Sequence, residues 1–124
     1  MDDNDIFIFE IYFEGRFKNL NGLVYVNGDV TAHDEPFDSD YLSIFELESI
    51  LGKYRYQHGD LIYYKLIEMS LDNGVVLLKI DNDVLKMVDA HKTEKFVVLY
   101  TVSAVNANDC ILLPKYQPKR GDLG

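Results

Sequence analysis

Apolar and polar residues alternate along much of the chain. Between Ile6 and Phe13, Phe7, Phe9, Ile11 and Phe13 fall on one face of a strand by period two. Ile6, Ile8 and Tyr12 load the other face, broken by Glu10, so this strand belongs near the middle of a sheet. Lys18-Asn19-Leu20-Asn21-Gly22 follows, and its Asn-Gly pair is a hairpin signal because both residues tolerate positive φ. Leu23 to Val30 reads as a second strand, with a bulge or bend at Asn27-Gly28. Thr31 to Asp40 is polar, contains Pro36 and suits a crossing loop. Ser43 and Glu46 have capping-box spacing at a helix start. Ile44, Leu47, Leu51 and Tyr54 then share a helical face with Ile50 beside them, and Gly52 is placed to end the helix in a left-handed conformation. Leu61 to Met69 reads as a third strand, Asp72-Asn73-Gly74 as a turn and Val75 to Ile80 as a fourth strand. Asp81 is positioned to cap a helix over 82–90 with Val84, Leu85 and Val88 inward, and Lys95 to Val102 is a β-rich fifth strand.

The resulting order is strand, strand, helix, strand, strand, helix, strand (ββαββαβ). A first hairpin followed by a covering helix, with the last strand lying beside the first, is a ubiquitin-like β-grasp of the α+β class. A ferredoxin-like sandwich wants a helix after the first strand, where this chain has an Asn-Gly hairpin. The chain divides into one domain over 1–102 and a C-terminal extension over 103–124. In the extension Cys110 to Leu113 can add an edge strand, and Pro114 to Gly121 is a basic, proline-bearing tail or linker.

Composition narrows the function classes. The chain has 124 residues, 48% hydrophobic and 27% charged, enough for one globular core. Its formal net charge of -9 disfavours a phosphate backbone as partner and fits either a basic partner surface or solubility alone. One cysteine, Cys110, allows no internal disulfide and fits an intracellular setting, nucleus or cytoplasm. The acidic start, Met1-Asp2-Asp3-Asn4-Asp5, is unlike a secretory leader, and no apolar run approaches the length of a membrane span.

No catalytic or metal-binding constellation stands out. His33, His58 and His91 are far apart and read as exposed loop residues; none has metal-ligand spacing to another histidine or to Cys110. The glycines are isolated, one per turn or cap, and form no phosphate cradle. The expectation is therefore no enzyme, no cofactor and no metal. Charge offers more. Asp72, Asp81, Asp83 and Asp89 fall on the second hairpin turn and second helix, where they form a candidate acidic edge toward a partner's Lys or Arg. Turn, cap and helix-dipole roles explain the same aspartates structurally. Arg16, Lys18 and Lys65 form a candidate basic edge, although single cations on strand edges also serve to block aggregation.

The stretches Ile11-Tyr12-Phe13-Glu14-Gly15-Arg16-Phe17, Tyr25-Val26-Asn27-Gly28-Asp29-Val30 and Ser43 through Leu51 carry a family resemblance. Leu61-Ile62-Tyr63-Tyr64-Lys65 and Gly74 through Met87 continue it. In order and spacing, over roughly residues 6 to 102, the chain resembles the Phox-and-Bem-one-like (PB-one-like) domain at the N-terminus of plant Mutator-type transposases and derived proteins. The resemblance implies a β-grasp fold and a non-catalytic role in protein association or oligomerisation. Phox-and-Bem-one domains proper pair head to tail, an acidic turn-and-helix motif gripping a lysine on the first strand of another copy. By position Asp72, Asp81 and Asp83 stand for the acidic side, and Arg16 or Lys18 for the basic side. Asn73-Gly74-Val75 lacks the dense acids that usually surround the glycine. The alternative function is an accessory nucleic-acid-binding domain of a transposase-derived protein, contacting a strand through the basic tail and exposed aromatics.

Overall fold

The computed structural model describes residues 6–33, 35, 37–38 and 42–104. Strand β1 (Ile6–Asn19) is followed by β2 (Leu23–Val26), β3 (Asp29–Ala32), β4 (Phe37–Asp38) and helix α1 (Ile44–Leu51). Then come β5 (Leu61–Lys65), the single-turn α2 (Leu71–Gly74), β6 (Val75–Leu78), α3 (Asp81–Ala90) and β7 (Phe96–Val102). The strands form one mixed sheet, ordered β2-β1-β7-β5-β6, with β3 and β4 also on β1. β1 and β7 run parallel at its centre, Ile8 opposite Phe96 and Tyr12 opposite Tyr100. The fold is α+β, a ubiquitin-like β-grasp.

Helices α1 and α3 cover one face. Phe7, Phe9, Ile11, Val97 and Leu99 from the central strands meet Leu47, Leu51, Val84 and Met87 from the helices in a buried core. Each fully buried side chain of this size contributes about 1.5–3 kcal/mol. The inward stripe on α3 is Val84, Met87 and Val88, whereas Leu85 is 61% exposed. The expectation of Leu85 inward is corrected, because the i, i+3, i+4 spacing from Val84 selects Met87 and Val88 instead.

The opposite face is covered by the chain's own first hairpin. A bulge interrupts the β1–β7 register between Tyr12 and Gly15, with Glu14 at φ 68. One extra residue reverses which parity points to which face. Before the bulge the odd residues Phe7, Phe9 and Ile11 point to the helices; beyond it Phe17 points the other way, into a second buried cluster with Leu23, Tyr63, Val75, Tyr100 and Val102. The Phe17 ring lies 5.3 Å from both Tyr63 and Tyr100. Tyr63 is on β5, two strands from β1 and hence roughly 9–10 Å away within a sheet. That 5.3 Å ring contact, together with the hydrogen bond from Leu23 N–H of β2 to Asp72 of α2 at 2.6 Å, places the β1–β2 ribbon over the face. Gly15 and Gly28 make the fold possible. A Cβ on Gly15 would come within 2.7 Å of the Tyr25 ring and 2.9 Å of the Gly28 nitrogen, and one on Gly28 within 2.6 Å of the Phe13 carbonyl oxygen. The Tyr25 hydroxyl accepts from Gly15 N–H at 2.8 Å and donates to the Thr101 carbonyl at 2.6 Å, pinning the ribbon to β7.

Several local expectations are corrected. The first strand runs to Asn19, past Phe13, because the ribbon continues beyond the bulge. The second is split at Asn27-Gly28, with Asn27 at φ 61, and the crossing loop contains β4. Asn21 and Gly22 both have positive φ, as their hairpin role demands. The Ser43 hydroxyl accepts from Glu46 N–H at 3.1 Å, so the helix begins where the spacing put it. Gly52 is right-handed, at φ -57; the helix runs on as a tighter turn over Gly52–Tyr54, and Arg55 takes the left-handed position at φ 72. The third strand stops at Lys65, and Asp72-Asn73-Gly74 belongs to the helical turn α2. His33 and His91 are buried rather than exposed: His33 Nδ1 lies 2.8 Å from the Tyr54 hydroxyl, and His91 Nδ1–H donates to the Met87 carbonyl at 2.8 Å. Cys110 and the proposed edge strand at 110–113 lie outside the described residues.

Candidate functional site

Asp81 and Asp83 sit in the first turn of α3, whose residue before the helix is Ile80. Asp81 does not cap its own helix as expected. Its Oδ1 accepts the Ile44 N–H at 2.8 Å, satisfying an orphan donor at the start of α1, so one carboxylate ties two helix N-termini together. Asp83 does the local work: its Oδ2 accepts from Lys79 N–H at 2.8 Å and Ile80 N–H at 3.1 Å. The charge of Asp83, after burial as the larger cause, also holds the Tyr64 hydroxyl above the ordinary phenol range. Asp89 lies at the far end of α3, roughly 12 Å along the axis from Asp81, exposed and 3.2 Å from Lys92 Nζ.

Asp72 belongs to a different surface. Its Oδ1 accepts the Leu23 N–H at 2.6 Å, so it clasps the tip of the β1–β2 hairpin from α2. The hairpin carries Arg16, half-buried opposite Val26, and Lys18, exposed opposite Val24. An aspartate of the acidic set is thus joined to the ribbon that bears two cations of the basic set. Lys65 is occupied locally, its Nζ donating to the carbonyls of Met69 at 2.8 Å and Leu66 at 3.3 Å. The structure brings Asp81 and Asp83 together on one turn and Arg16 and Lys18 on one strand. It sets Asp72, Asp89 and Lys65 apart from these pairs.

The Asp72 clasp gives a direct test. Asp72→Ala leaves the Leu23 N–H without its acceptor and is expected to destabilise the domain by about 1 kcal/mol, below the usual range for charged acceptors because the site is partly exposed. Asp72→Asn keeps an acceptor oxygen and is expected to stay within about 0.5 kcal/mol of the parent. Urea unfolding midpoints measure both, and amide exchange at Leu23 should accelerate in the alanine variant alone.

Near the C-terminal end of β7 an open cleft of about 380 Å³ is lined by residues including Glu14, Tyr54, Arg55, Asp60 and Ser103. Arg55 Nε pairs with Glu14 at 3.4 Å, and Asp60 accepts from the N–H groups of Gln57 and Ala104, both at 2.9 Å. Next to it the Tyr56 hydroxyl is held far above the ordinary phenol range by burial first, then by its hydrogen bond to Glu48. The cleft's carboxylates are thus committed to an ion pair and to backbone donors, a structural arrangement. Among the described residues no group of three or more His, Cys, Asp or Glu is arranged to hold a metal ion. No described helix is long and apolar enough to cross a membrane.

Among the large apolar residues left in solvent, Phe45 on α1 and Ile80 and Leu85 at and within α3 are not anticipated as exposed by the sequence. The signal for Leu85 is its place off the i, i+3, i+4 stripe that Val84, Met87 and Val88 form.

A family model described as the PB1-like domain matches residues 2–103. No curated protein matches the chain. With that match over most of its length and a β-grasp sheet beneath it, the chain belongs to the PB1-like domain family, a family of interaction domains that typically engage protein partners or self-associate.

Proposed function

We propose that this domain binds a basic protein surface, on another protein or on a second copy of itself, through the acids of α3, with Lys18 of β1 as the cation offered in return. The observation that carries this reading is the fixed state of the carboxylates. Asp81 and Asp83 are each held by backbone N–H groups, so neither loses much freedom on meeting a partner's Lys or Arg. Asp89 extends the same helix toward solvent, and Lys18 is exposed. A role within a transposase-derived protein, inside the cell, fits the stretches that resemble the N-terminal domains of Mutator-type transposases. The alternative of nucleic-acid binding has a net charge of -9 against it.

The test must spare the caps. Charge reversal at Asp81 and Asp83 would disturb both helix starts, whereas Asp81→Asn/Asp83→Asn/Asp89→Asn removes charge and keeps acceptor oxygens. Each exposed pair is worth about 0.2–1 kcal/mol, so losing three should weaken binding roughly tenfold. Sedimentation and titration against self and against lysine-rich protein partners, at low salt and at high salt, should give that loss, with high salt reproducing it in the parent. Binding that ignores both the triple variant and salt would sink the charge-pairing reading, and salt-dependent binding to DNA would favour the alternative.

A further inference from the structure

We propose that the outer edge of β6 is a second association surface, which pairs antiparallel with β6 of a second copy of this chain. The two edges of the sheet are treated differently. Along one, β2, β3 and β4 are broken at Asn27-Gly28 and carry Asp29 and Asp38, devices that discourage strand addition. Along the other, β6 is Val75-Val76-Leu77-Leu78, with no charge, proline or bulge, and among the described residues its partner in the sheet is β5 alone. Leu66 N–H donates to the Gly74 carbonyl at 2.8 Å, and the register sets Tyr64 opposite Val76 and Ile62 opposite Leu78. In an antiparallel ladder alternate residues bond inward. Gly74, Val76 and Leu78 therefore face β5, and the N–H and C=O groups of Val75 and Leu77 face outward. The next outward donor, Lys79 N–H, is already taken by Asp83, which closes the edge there.

These groups are self-complementary. With a two-fold axis at Val76, Val75 of each copy lies opposite Leu77 of the other, and the two pairs exchange four backbone hydrogen bonds. Val75 and Leu77 side chains both belong to the hairpin-covered face, so the faces match across the seam. The same register carries Lys79 of each copy to the Asn73 and Asp72 end of the other, opposing a cation to an acidic end. Lys79 is exposed and makes no side-chain ion pair or hydrogen bond within the described residues. Ile80, 58% exposed, follows Lys79 directly. A four-bond seam is small, so the association is weak and concentration-dependent. It stands apart from the acidic reading of α3, because backbone pairing is little affected by salt.

The experiment uses the full chain with Cys110→Ser, so that one introduced thiol is the sole one. In the proposed register Val76 faces its own counterpart across a non-hydrogen-bonded position, about 4.5 Å between Cα atoms, within disulfide reach. Val76→Cys is expected to form a disulfide-linked dimer under mild oxidation, while Val30→Cys on the guarded edge stays monomeric. Leu77→Pro removes an outward N–H, with some loss of a half-buried side chain, and should give a folded monomer at millimolar concentration, where the parent shows concentration-dependent dimerisation in high salt. The asparagine triple variant on α3 should still dimerise. The proposal is overturned by a parent that is monomeric throughout, by Val76→Cys cross-linking no faster than Val30→Cys, or by a folded Leu77→Pro that associates like the parent. If Leu77→Pro does not fold, the cross-linking comparison decides alone. Association abolished by the triple variant but indifferent to Leu77→Pro would transfer the interaction to α3.

Discussion

Phe17→Ala is expected to destabilise the domain by about 3–5 kcal/mol, the cost of truncating a phenylalanine in a packed core. Nothing in the local sequence around Phe17 suggests so large a value, since the residue lies close to an Asn-Gly hairpin turn. The value follows from position: the side chain is buried, 5.4 Å from Tyr25 and 5.3 Å from Tyr63 and Tyr100 by ring centroid. Its removal would leave a void between the hairpin and the sheet, bordered by rings that cannot close in while Tyr25 is pinned to Thr101 and Gly15. Against a domain stability on the order of 5–15 kcal/mol, such a loss is a large fraction of the whole. Urea unfolding should give a much lower midpoint with little change in slope. Phe45→Ala is the control: Phe45 is 77% exposed, and its truncation should stay within about 0.5 kcal/mol. A Phe17→Ala variant that loses less than about 1 kcal/mol would mean that the hairpin does not cover the sheet in solution.

Gly15→Ala is expected to cost about 1–3 kcal/mol, the usual range for forcing an extra carbon into a filled site, and to fall toward its upper end. The added Cβ meets the Tyr25 ring at 2.7 Å and the Gly28 nitrogen at 2.9 Å, and two of its three nearest neighbours are backbone atoms that cannot rotate away. Because Tyr25 both occupies that space and bonds Gly15 N–H, Gly15→Ala and Tyr25→Phe should be non-additive by about 0.5–3 kcal/mol in a double-mutant cycle. Additive effects, or a neutral Gly15→Ala, would place the crossing of the ribbon elsewhere.

Much of the fold was legible in the chain because its signals are local. The alternation Phe7-Phe9-Ile11 marks a central strand, Ser43 and Glu46 mark a helix start, and Asn21-Gly22 marks a turn; each depends on residues no more than a few positions apart. The two corrections on α3 have different physical causes. Residue type alone puts Leu85 inward, whereas helix spacing selects the Val84-Met87-Val88 stripe and leaves Leu85 in solvent. Local position makes Asp81 the cap of its nearest helix, yet its carboxylate serves Ile44, 37 residues earlier in the chain. A carboxylate can satisfy any donor within reach, and reach is a tertiary property.

The same division runs through the candidate surfaces. The sequence by itself determined the α+β class, the acidic balance, and the presence of Asp81 and Asp83 at the start of one helix, because periodicity, composition and spacing are written along the chain. Only the tertiary structure decided that Asp72 clasps the hairpin, that Lys65 is consumed by the loop after β5, and that Phe17 closes a second core. It also decided that β6 lies at the edge of the described strands, with the backbone groups of Val75 and Leu77 turned away from β5. A single-residue bulge at Glu14 and Gly15 turns one face of β1 into the other, and that reversal becomes visible only when the ribbon meets the sheet it covers.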